Sequence, residues 1–174
     1  SCGGEGETEL VSAVRDERDT LRRRIAGGKM VSPHGLERQD VVIAKGRVEA
    51  LLAPDSPALR DVDEVIDADG LILFSGIFDT HVHFETGTSH LDTLQNATRA
   101  AALGGTTTII GHVRSPEGNL VAEVERQQRL AAECPIDVAF HAIIGQQDDA
   151  GEVVPALVER GVRSFKFFMP YADS

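Results

Sequence analysis

The chain has 174 residues, of which 41% are hydrophobic, and this share suits a globular protein with a core of its own. Its 17 Lys and Arg stand against 28 Asp and Glu, and the formal net charge of -11 disfavours nucleic acid and anionic membranes as partners. No apolar run reaches the ~20 residues of a membrane-spanning helix and no signal-peptide pattern is visible, so we expect a cytoplasmic protein.

The first 73 residues divide into two segments. Residues 1–20 are acidic and contain few apolar positions, which indicates an N-terminal extension without a chemical role. In residues 21–73, short runs of β-branched and other apolar residues alternate with Gly, Pro, Asp and Ser turns. We expect this second segment to form the N-terminal part of a small β domain, a β-sandwich segment.

The pattern changes in residues 74–174. Four apolar runs of strand length alternate there with three segments of helical period; the runs are residues 76–84, 105–113, 136–144 and 164–171. This α/β pattern is that of the first half of a (β/α)8 TIM-type barrel, whose complete form needs about 250 residues. A doubly wound sheet has the same alternation and stays the alternative fold.

Sequence signals also predict where the three helices begin and end. Ser89 is a candidate N-cap for the first helix, and Gly104 follows its last turn. The second helix is predicted over residues 119–133, and the third over about residues 152–160 with Pro155 near its first turn.

A half barrel would expose two sheet edges and the interior face of its sheet, and both are costly in water. We therefore expect a C-terminal remainder to complete the barrel, supplied by further residues of the same chain or by a second polypeptide. The sequence begins at Ser1 and not at methionine, which mildly favours a processed protein.

Two histidines, His81 and His83, lie one residue apart near the end of the first predicted barrel strand. Residues two apart on a strand point to the same face, roughly 6.5–7 Å from each other, so both imidazoles can approach one metal ion. Barrel enzymes place their chemistry at the C-terminal ends of the strands, where His83 falls. An isolated His-x-His motif is a weak signal, and two packed histidines are the alternative.

Lys166 lies within the fourth predicted barrel strand, between Phe165 and Phe167. A lysine buried among aromatic rings tends to give up its proton, and the neutral amine is nucleophilic. Such an amine can take up carbon dioxide as a carbamate, an anionic group whose two oxygens can bridge two divalent cations. A charged lysine at the strand end is the alternative.

Several consecutive blocks of the sequence resemble one known family. The blocks are GIFDTHVHFE, TRAAALGGTTTIIGHV, FHAII and VERGVRSFKFFMPY, preceded by DVVIAKGRVEALL and EVIDADGLILFSG. They resemble the amidohydrolase superfamily, in particular the N-terminal portion of its hydantoinase and dihydropyrimidinase branch, over roughly residues 22–171.

This resemblance implies a metal-dependent hydrolase that opens the C–N amide bond of a cyclic amide or ureide, a hydantoin-like or dihydropyrimidine-like ring, by means of a metal-bridging hydroxide. It implies two divalent ions, most often Zn²⁺, with His81 and His83 on one ion and carboxylated Lys166 as the bridge between both. Tyr171 takes the position of a family tyrosine that hydrogen-bonds the substrate and the developing oxyanion. Family members add two later histidines and an aspartate, and no histidine follows Lys166 here.

Two other functions stay open at this point. One is an allantoinase-like or dihydroorotase-like amidohydrolase, and the other is a non-catalytic dihydropyrimidinase-like scaffold, which the joint presence of His81, His83 and Lys166 disfavours. The partners that we expect are a small cyclic amide and further copies in a homo-oligomer. For His112 and His141 on the predicted barrel strands, core packing or support of a ligand is as well founded as metal binding.

Overall fold

The computed structural model of the protein describes residues 21–84, 93–115 and 118–168. The chain separates into two compact units, one that ends at Ser75 and one that begins at Gly76. None of the helices in the described ranges has the length and apolar character required to cross a bilayer.

The N-terminal unit consists of short strands and one 3-10 turn at Pro57–Leu59. Its strands are β1 Arg23–Ala26, β2 Lys29–Ser32, β3 Gly35–Arg38, β4 Asp40–Ala44, β5 Arg47–Leu52, β6 Glu64–Asp67 and β7 Ile72–Leu73. They form a four-stranded sheet in the order β5-β4-β1-β6 and a three-stranded sheet in the order β3-β2-β7. The predicted β character of this segment agrees with the structure, whereas its sandwich packing stays a prediction.

A fully buried carboxylate connects β1 to β4. Asp40 is 0% exposed, and its Oδ2 accepts a hydrogen bond from Arg24 Nε at 2.6 Å while its Oδ1 accepts one from the backbone N–H of Gly27 at 3.2 Å. A buried charge is stable only when it is paired and hydrogen bonded in this way.

The C-terminal unit alternates strands and helices. Its elements are β8 Ile77–Val82, α1 Leu94–Leu103, β9 Thr106–Val113, α2 Leu120–Ala131, β10 Asp137–Ile143, α3 Ala150–Glu159 and β11 Ser164–Lys166. The four strands are parallel, and their order in the sheet, β8-β9-β10-β11, is their order in the chain. Helix α2 packs against both α1 and α3, so the helices form one layer.

Sequential strand order with a single helix layer is the arrangement of a barrel, whereas a doubly wound sheet reverses direction and places helices on both faces. The α/β prediction is therefore confirmed, and the described half favours a barrel over the doubly wound alternative. The complete eight-stranded barrel stays a prediction.

Two helix starts differ from the sequence prediction. Helix α1 is capped by Thr93, whose Oγ1 accepts the N–H of Asn96 at 3.3 Å, and not by Ser89, which lies outside the described residues. Helix α3 begins two residues before the predicted start because Asp149 caps it, and Pro155 consequently lies inside the helix and not in its first turn.

The core of this unit lies between the sheet and the helix layer. It contains apolar side chains from all three helices, from β9 and β10 and from the segments that follow β8, β10 and α3: Phe84, Leu94, Ile109, Val113, Leu120, Val124, Phe140, Ala142, Ile144, Leu157 and Val162. Gly111 lies between Ile109 and Val113 on the same strand face and leaves room for the Phe84 ring. A Cβ at Gly111 would come within 2.1 Å of Phe84 Cε1.

We predict that Asp40→Ala lowers the free energy of unfolding of the N-terminal unit by roughly 2–3 kcal/mol, because Arg24 would lose the carboxylate that compensates its partly buried charge. Denaturant unfolding, monitored through the hydrogen exchange of backbone amides in β1 and β4, measures the change in the free energy of unfolding. Glu64→Ala is the control: it removes the exposed partner of Arg23 and should cost less than about 1 kcal/mol. Equal effects of the two substitutions would contradict this role for Asp40.

We also predict that Gly111→Ala destabilises the C-terminal unit by about 1–3 kcal/mol, because the new methyl group overlaps the Phe84 ring. Gly104→Ala is the matched control, since its φ is -82° and its nearest neighbour, Ala101 O, would lie 3.4 Å from the new Cβ. Denaturant unfolding of both variants should show the loss at position 111 alone.

Candidate metal centre

His81 and His83 lie on the face of β8 that points away from the helices. Val82 and Phe84, which alternate with them, both pack into the core between the sheet and the helix layer. Because successive strand residues point to opposite faces, the two imidazoles share the other face. His83 directly follows the last residue of β8, at the C-terminal edge of the sheet.

The two imidazoles are close enough to bind one ion. Their Nε2 atoms lie 3.1 Å apart, and their ring centroids lie 5.0 Å apart. Two nitrogen ligands of a tetrahedral Zn²⁺, each about 2.0–2.1 Å from the ion, are separated by about 3.3–3.4 Å. The pair is therefore within a few tenths of an ångström of the spacing that chelation requires.

A third imidazole, that of His112 near the end of β9, lies against this pair. Its ring is stacked on that of His83, with a centroid distance of 4.5 Å and an interplanar angle of 14°, and its centroid is 4.4 Å from that of His81. The three side chains each offer a nitrogen atom, and these atoms lie within 4.8 Å of one another. The sequence alone leaves the role of His112 open, because contacts between parallel strands are not local in sequence.

A fourth imidazole, that of His141, lies next to His112, so that His81, His83, His112 and His141 form a row across the sheet. His141 on β10 is paired with His112 on β9 and with Ser164 on β11, and the ring centroids of His112 and His141 are 5.0 Å apart. His141 Nε2 lies 3.1 Å from the carbonyl oxygen of Thr80, and His141 Nδ1 is hydrogen bonded to Ser164 Oγ.

Partial removal of water favours the neutral form of His112 and His83. Removal of water lowers the pKa of His112 from 6.5 to about 4, against the opposing effect of its hydrogen bond to Val82. The pKa of His83 is also lowered, first by partial desolvation and then by the charges of His81 and Lys166. A neutral imidazole has a free lone pair, which is the form that binds a metal ion.

Lys166 is the last residue of β11 and lies two residues beyond Ser164, on the same strand face. It is half-buried, and its Nζ lies 4.8 Å from the centroid of the Phe168 ring. The expected burial of Lys166 among aromatic rings is incomplete, because Phe167 is 55% exposed and Phe168, which follows the strand, is 42% exposed. Lys166 is close enough to contribute to the lowered pKa values of His83 and His112.

The donor set fits a divalent cation such as Zn²⁺, which binds imidazole nitrogen at coordination distances that the His81–His83 pair nearly provides. A pocket of about 240 Å³ opens beside His83 and His112, and its walls include the cationic Arg114 and the rings of Phe84 and Phe168. Tyr171, the predicted substrate-binding residue, lies outside the described residues.

No family model matches the chain. It is 39% identical over 158 residues to the D-hydantoinase of Streptomyces coelicolor, a match that covers 86% of this chain and 34% of that protein. It is 32% identical over 183 residues to the dihydropyrimidinase of Arabidopsis thaliana, a match that covers 98% of this chain and 34% of that protein. The chain thus spans about a third of the length of the curated relatives it matches.

Two solved structures that the fold matches carry the same names as these relatives. The fold matches the dihydropyrimidinase of Brevibacillus agri with a TM-score of 0.73 and 30% identity, and a D-hydantoinase with a TM-score of 0.71 and 29% identity. Each match covers 87% of this chain and 34% of the chain to which it is compared.

We predict that the metal-free protein loses stability as the pH falls from 6.5 towards 4. The pKa of His112 is about 4 in the folded state and near 6.5 in the unfolded state, so the unfolded state binds more protons in this window. The free energy of unfolding should fall by up to about 3 kcal/mol across it. Urea unfolding at pH 7 and pH 5, with chelator present, should show a smaller pH effect for His112→Phe than for the unchanged protein; equal effects would contradict the assignment.

Proposed function

Because the chain belongs to the hydantoinase and dihydropyrimidinase branch of the amidohydrolase superfamily, we propose that the whole protein is a metal-dependent hydrolase of cyclic amides. The bond broken is the C–N amide bond of a hydantoin-like or dihydropyrimidine-like ring. The single observation that carries this proposal is the pair of imidazole nitrogens 3.1 Å apart at the C-terminal end of a parallel strand, where barrel enzymes hold their reacting groups.

In this proposal His81 and His83 hold one divalent ion, Zn²⁺, through their Nε2 atoms. Both residues are exposed on the open face of the sheet, so an ion and a substrate can reach them. When bound, two ions would supply an activated water nucleophile and polarisation of the ring carbonyl. The pocket beside His83 would receive the ring, with Phe84 and Phe168 against its apolar parts and Arg114 close to its carbonyl oxygens.

Lys166 would bridge the two ions as a carbamate. The ammonium first loses a proton, the amine nitrogen forms a bond to the carbon of CO₂, and a second proton then leaves the nitrogen, while one electron pair of a C=O bond moves to oxygen. The product is a carbamate whose single negative charge is shared by two oxygens, one for each cation. The position of Lys166, two residues beyond Ser164 on the strand paired with β10, supports this role because it points the side chain to the face that carries the imidazoles.

The remaining parts of the site are proposed from the family. Tyr171 would donate its O–H to the oxyanion that develops on the substrate, and the remainder of the barrel, from the same chain or from a second polypeptide, would supply the other ligands. We propose a homo-oligomer in the cytoplasm as the working form of this assembly.

We predict that Lys166→Ala in the complete, metal-loaded protein removes one of two ions and lowers kcat at least a hundredfold, since the loss of a single electrostatic contributor costs about 10²–10³ in rate. Short carboxylic acids should restore part of the activity because they can replace the carbamate oxygens. Metal analysis and ring-opening rates with hydantoin, dihydrouracil, allantoin and dihydroorotate measure both effects.

Lys29→Ala, which removes an exposed lysine of the N-terminal unit, is the control and should leave metal content and rates unchanged. Unchanged metal content and turnover in Lys166→Ala would remove Lys166 from the mechanism. A folded, complete protein that binds no metal and opens none of the four rings would identify the non-catalytic scaffold instead.

A further inference from the structure

We infer that His112 and His141 are positioning residues that hold the backbone of β8 on both sides of His81 and thereby direct His81 and His83 towards one ion. The inference rests on the proposed function, because it assigns to these two residues a task in the same metal site. It is carried by four observations on described residues.

The first observation is an irregularity in the sheet at the metal-binding pair. Asp79 is paired with Ile109 and Val82 with Gly111, so three steps along β8 correspond to two steps along β9. The register therefore shifts within the segment that contains Thr80 and His81. A shift of this kind interrupts the regular ladder of backbone hydrogen bonds, and other groups must then satisfy the backbone.

The second observation is that two imidazoles bond backbone carbonyl groups at this register shift. The carbonyl oxygen of Thr80 lies 3.1 Å from His141 Nε2, and the carbonyl oxygen of Val82 lies 3.3 Å from His112 Nδ1. Thr80 and Val82 are the two neighbours of His81 in the chain. Two side chains, from two different strands, thus bond the backbone immediately before and immediately after a proposed ligand.

The third observation is that these bonds define one tautomer for each ring. A carbonyl oxygen only accepts, so the proton must lie on Nδ1 of His112 and on Nε2 of His141. Nδ1 of His141 is then an acceptor, and its hydrogen bond to Ser164 Oγ is of the matching kind, with the hydroxyl as donor. The set of bonds is therefore consistent for neutral rings.

The fourth observation is that the row extends to the strand of Lys166. Through Thr80, His141 and Ser164, hydrogen bonds connect β8 to β11, and Lys166 follows Ser164 by two residues. The ring of His112 fills the space between His83 and His141, at centroid distances of 4.5 and 5.0 Å. The same two histidines thus set the separation between the His81–His83 pair and the proposed carbamate.

His112 could instead be a third metal ligand, since its nitrogen lies within 4.8 Å of the other two. Its ring, however, is nearly parallel to that of His83, at 14°. Imidazole lone pairs lie in the ring plane, so those of two stacked rings do not converge on one ion. The bond from Nδ1 to Val82 leaves Nε2 free and is compatible with either role, so it is the stacking that makes a supporting role the better fit to the geometry.

Side-chain isosteres test the inference, because the amide nitrogen of Asn lies near the place of Nδ1 and that of Gln near the place of Nε2. His112→Phe and His141→Phe keep the ring and remove the N–H, and should weaken Co²⁺ or Zn²⁺ binding by about 10–100-fold, the usual effect of losing a partner that supports a ligand. His112→Asn and His141→Gln should recover most of that affinity. His34→Phe, at an exposed turn of the N-terminal unit, is the control.

The measurements are competition with a chelator of known affinity, the visible spectrum of bound Co²⁺ and the melting temperature of the metal-free variants. A positioning role predicts that metal affinity falls in the Phe variants and recovers in His112→Asn and His141→Gln, while the melting temperatures show whether each variant is folded. Wild-type affinity in both Phe variants would overturn the inference. So would a loss in His112→Asn equal to that in His112→Phe with a weaker Co²⁺ spectrum, because His112 would then itself be a ligand.

A second measurement needs no variant. Long-range ¹H–¹⁵N correlation spectra of the metal-free protein report which ring nitrogen carries the proton, and the inference requires Nδ1 for His112 and Nε2 for His141; the opposite tautomers would overturn it. These experiments use no substrate. A protein that shows the isostere pattern but opens no ring would contradict only the proposed function, whereas an active protein that tolerates both Phe substitutions would contradict only the inference.

Discussion

The alternation of side chains along β8 is the constraint on which the rest of the C-terminal unit depends. Val82 and Phe84 belong to the core between the sheet and the helix layer, and the ring of Phe84 fits only because Gly111 has no side chain. Moving β8 by one residue would expose both apolar side chains and bury both imidazoles. Core packing therefore determines the face to which His81 and His83 point, and the chemistry of the site follows from an apolar contact on the opposite side of the strand.

A second consequence concerns the histidines on the neighbouring strands. Core packing determines which side chains of β8 face the helices, but it does not hold the backbone in place at the register shift beside His81. Polar groups must do this, and an imidazole suits the task because it donates from one nitrogen and stacks through its face. The same burial that holds His112 in place lowers its pKa to about 4, so the ring stays neutral beside a proposed cation.

The sequence predicted those features that depend on local periodicity. The strand–helix alternation, the shared face of His81 and His83 and the position of α2 all follow from spacings within one element. The helix starts were less well predicted because several polar residues compete to be the cap, and at α1 Thr93 serves where Ser89 was expected. The surroundings of Lys166 were misjudged because neighbours in sequence alternate between faces, which leaves Phe167 exposed.

The row of four histidines could not be predicted from the sequence, for a different reason. His112 and His141 reach the backbone on either side of His81 only through the association of parallel strands, and the residues that they bond, Val82 and Thr80, are 30 and 61 positions away in the chain. The proposed site also divides into residues that the described strands supply and residues that they do not. The proposed ligands His81 and His83 and their proposed supporting residues lie on β8, β9 and β10 or directly after β8, whereas a second ion would need Lys166 together with ligands from the remainder of the barrel.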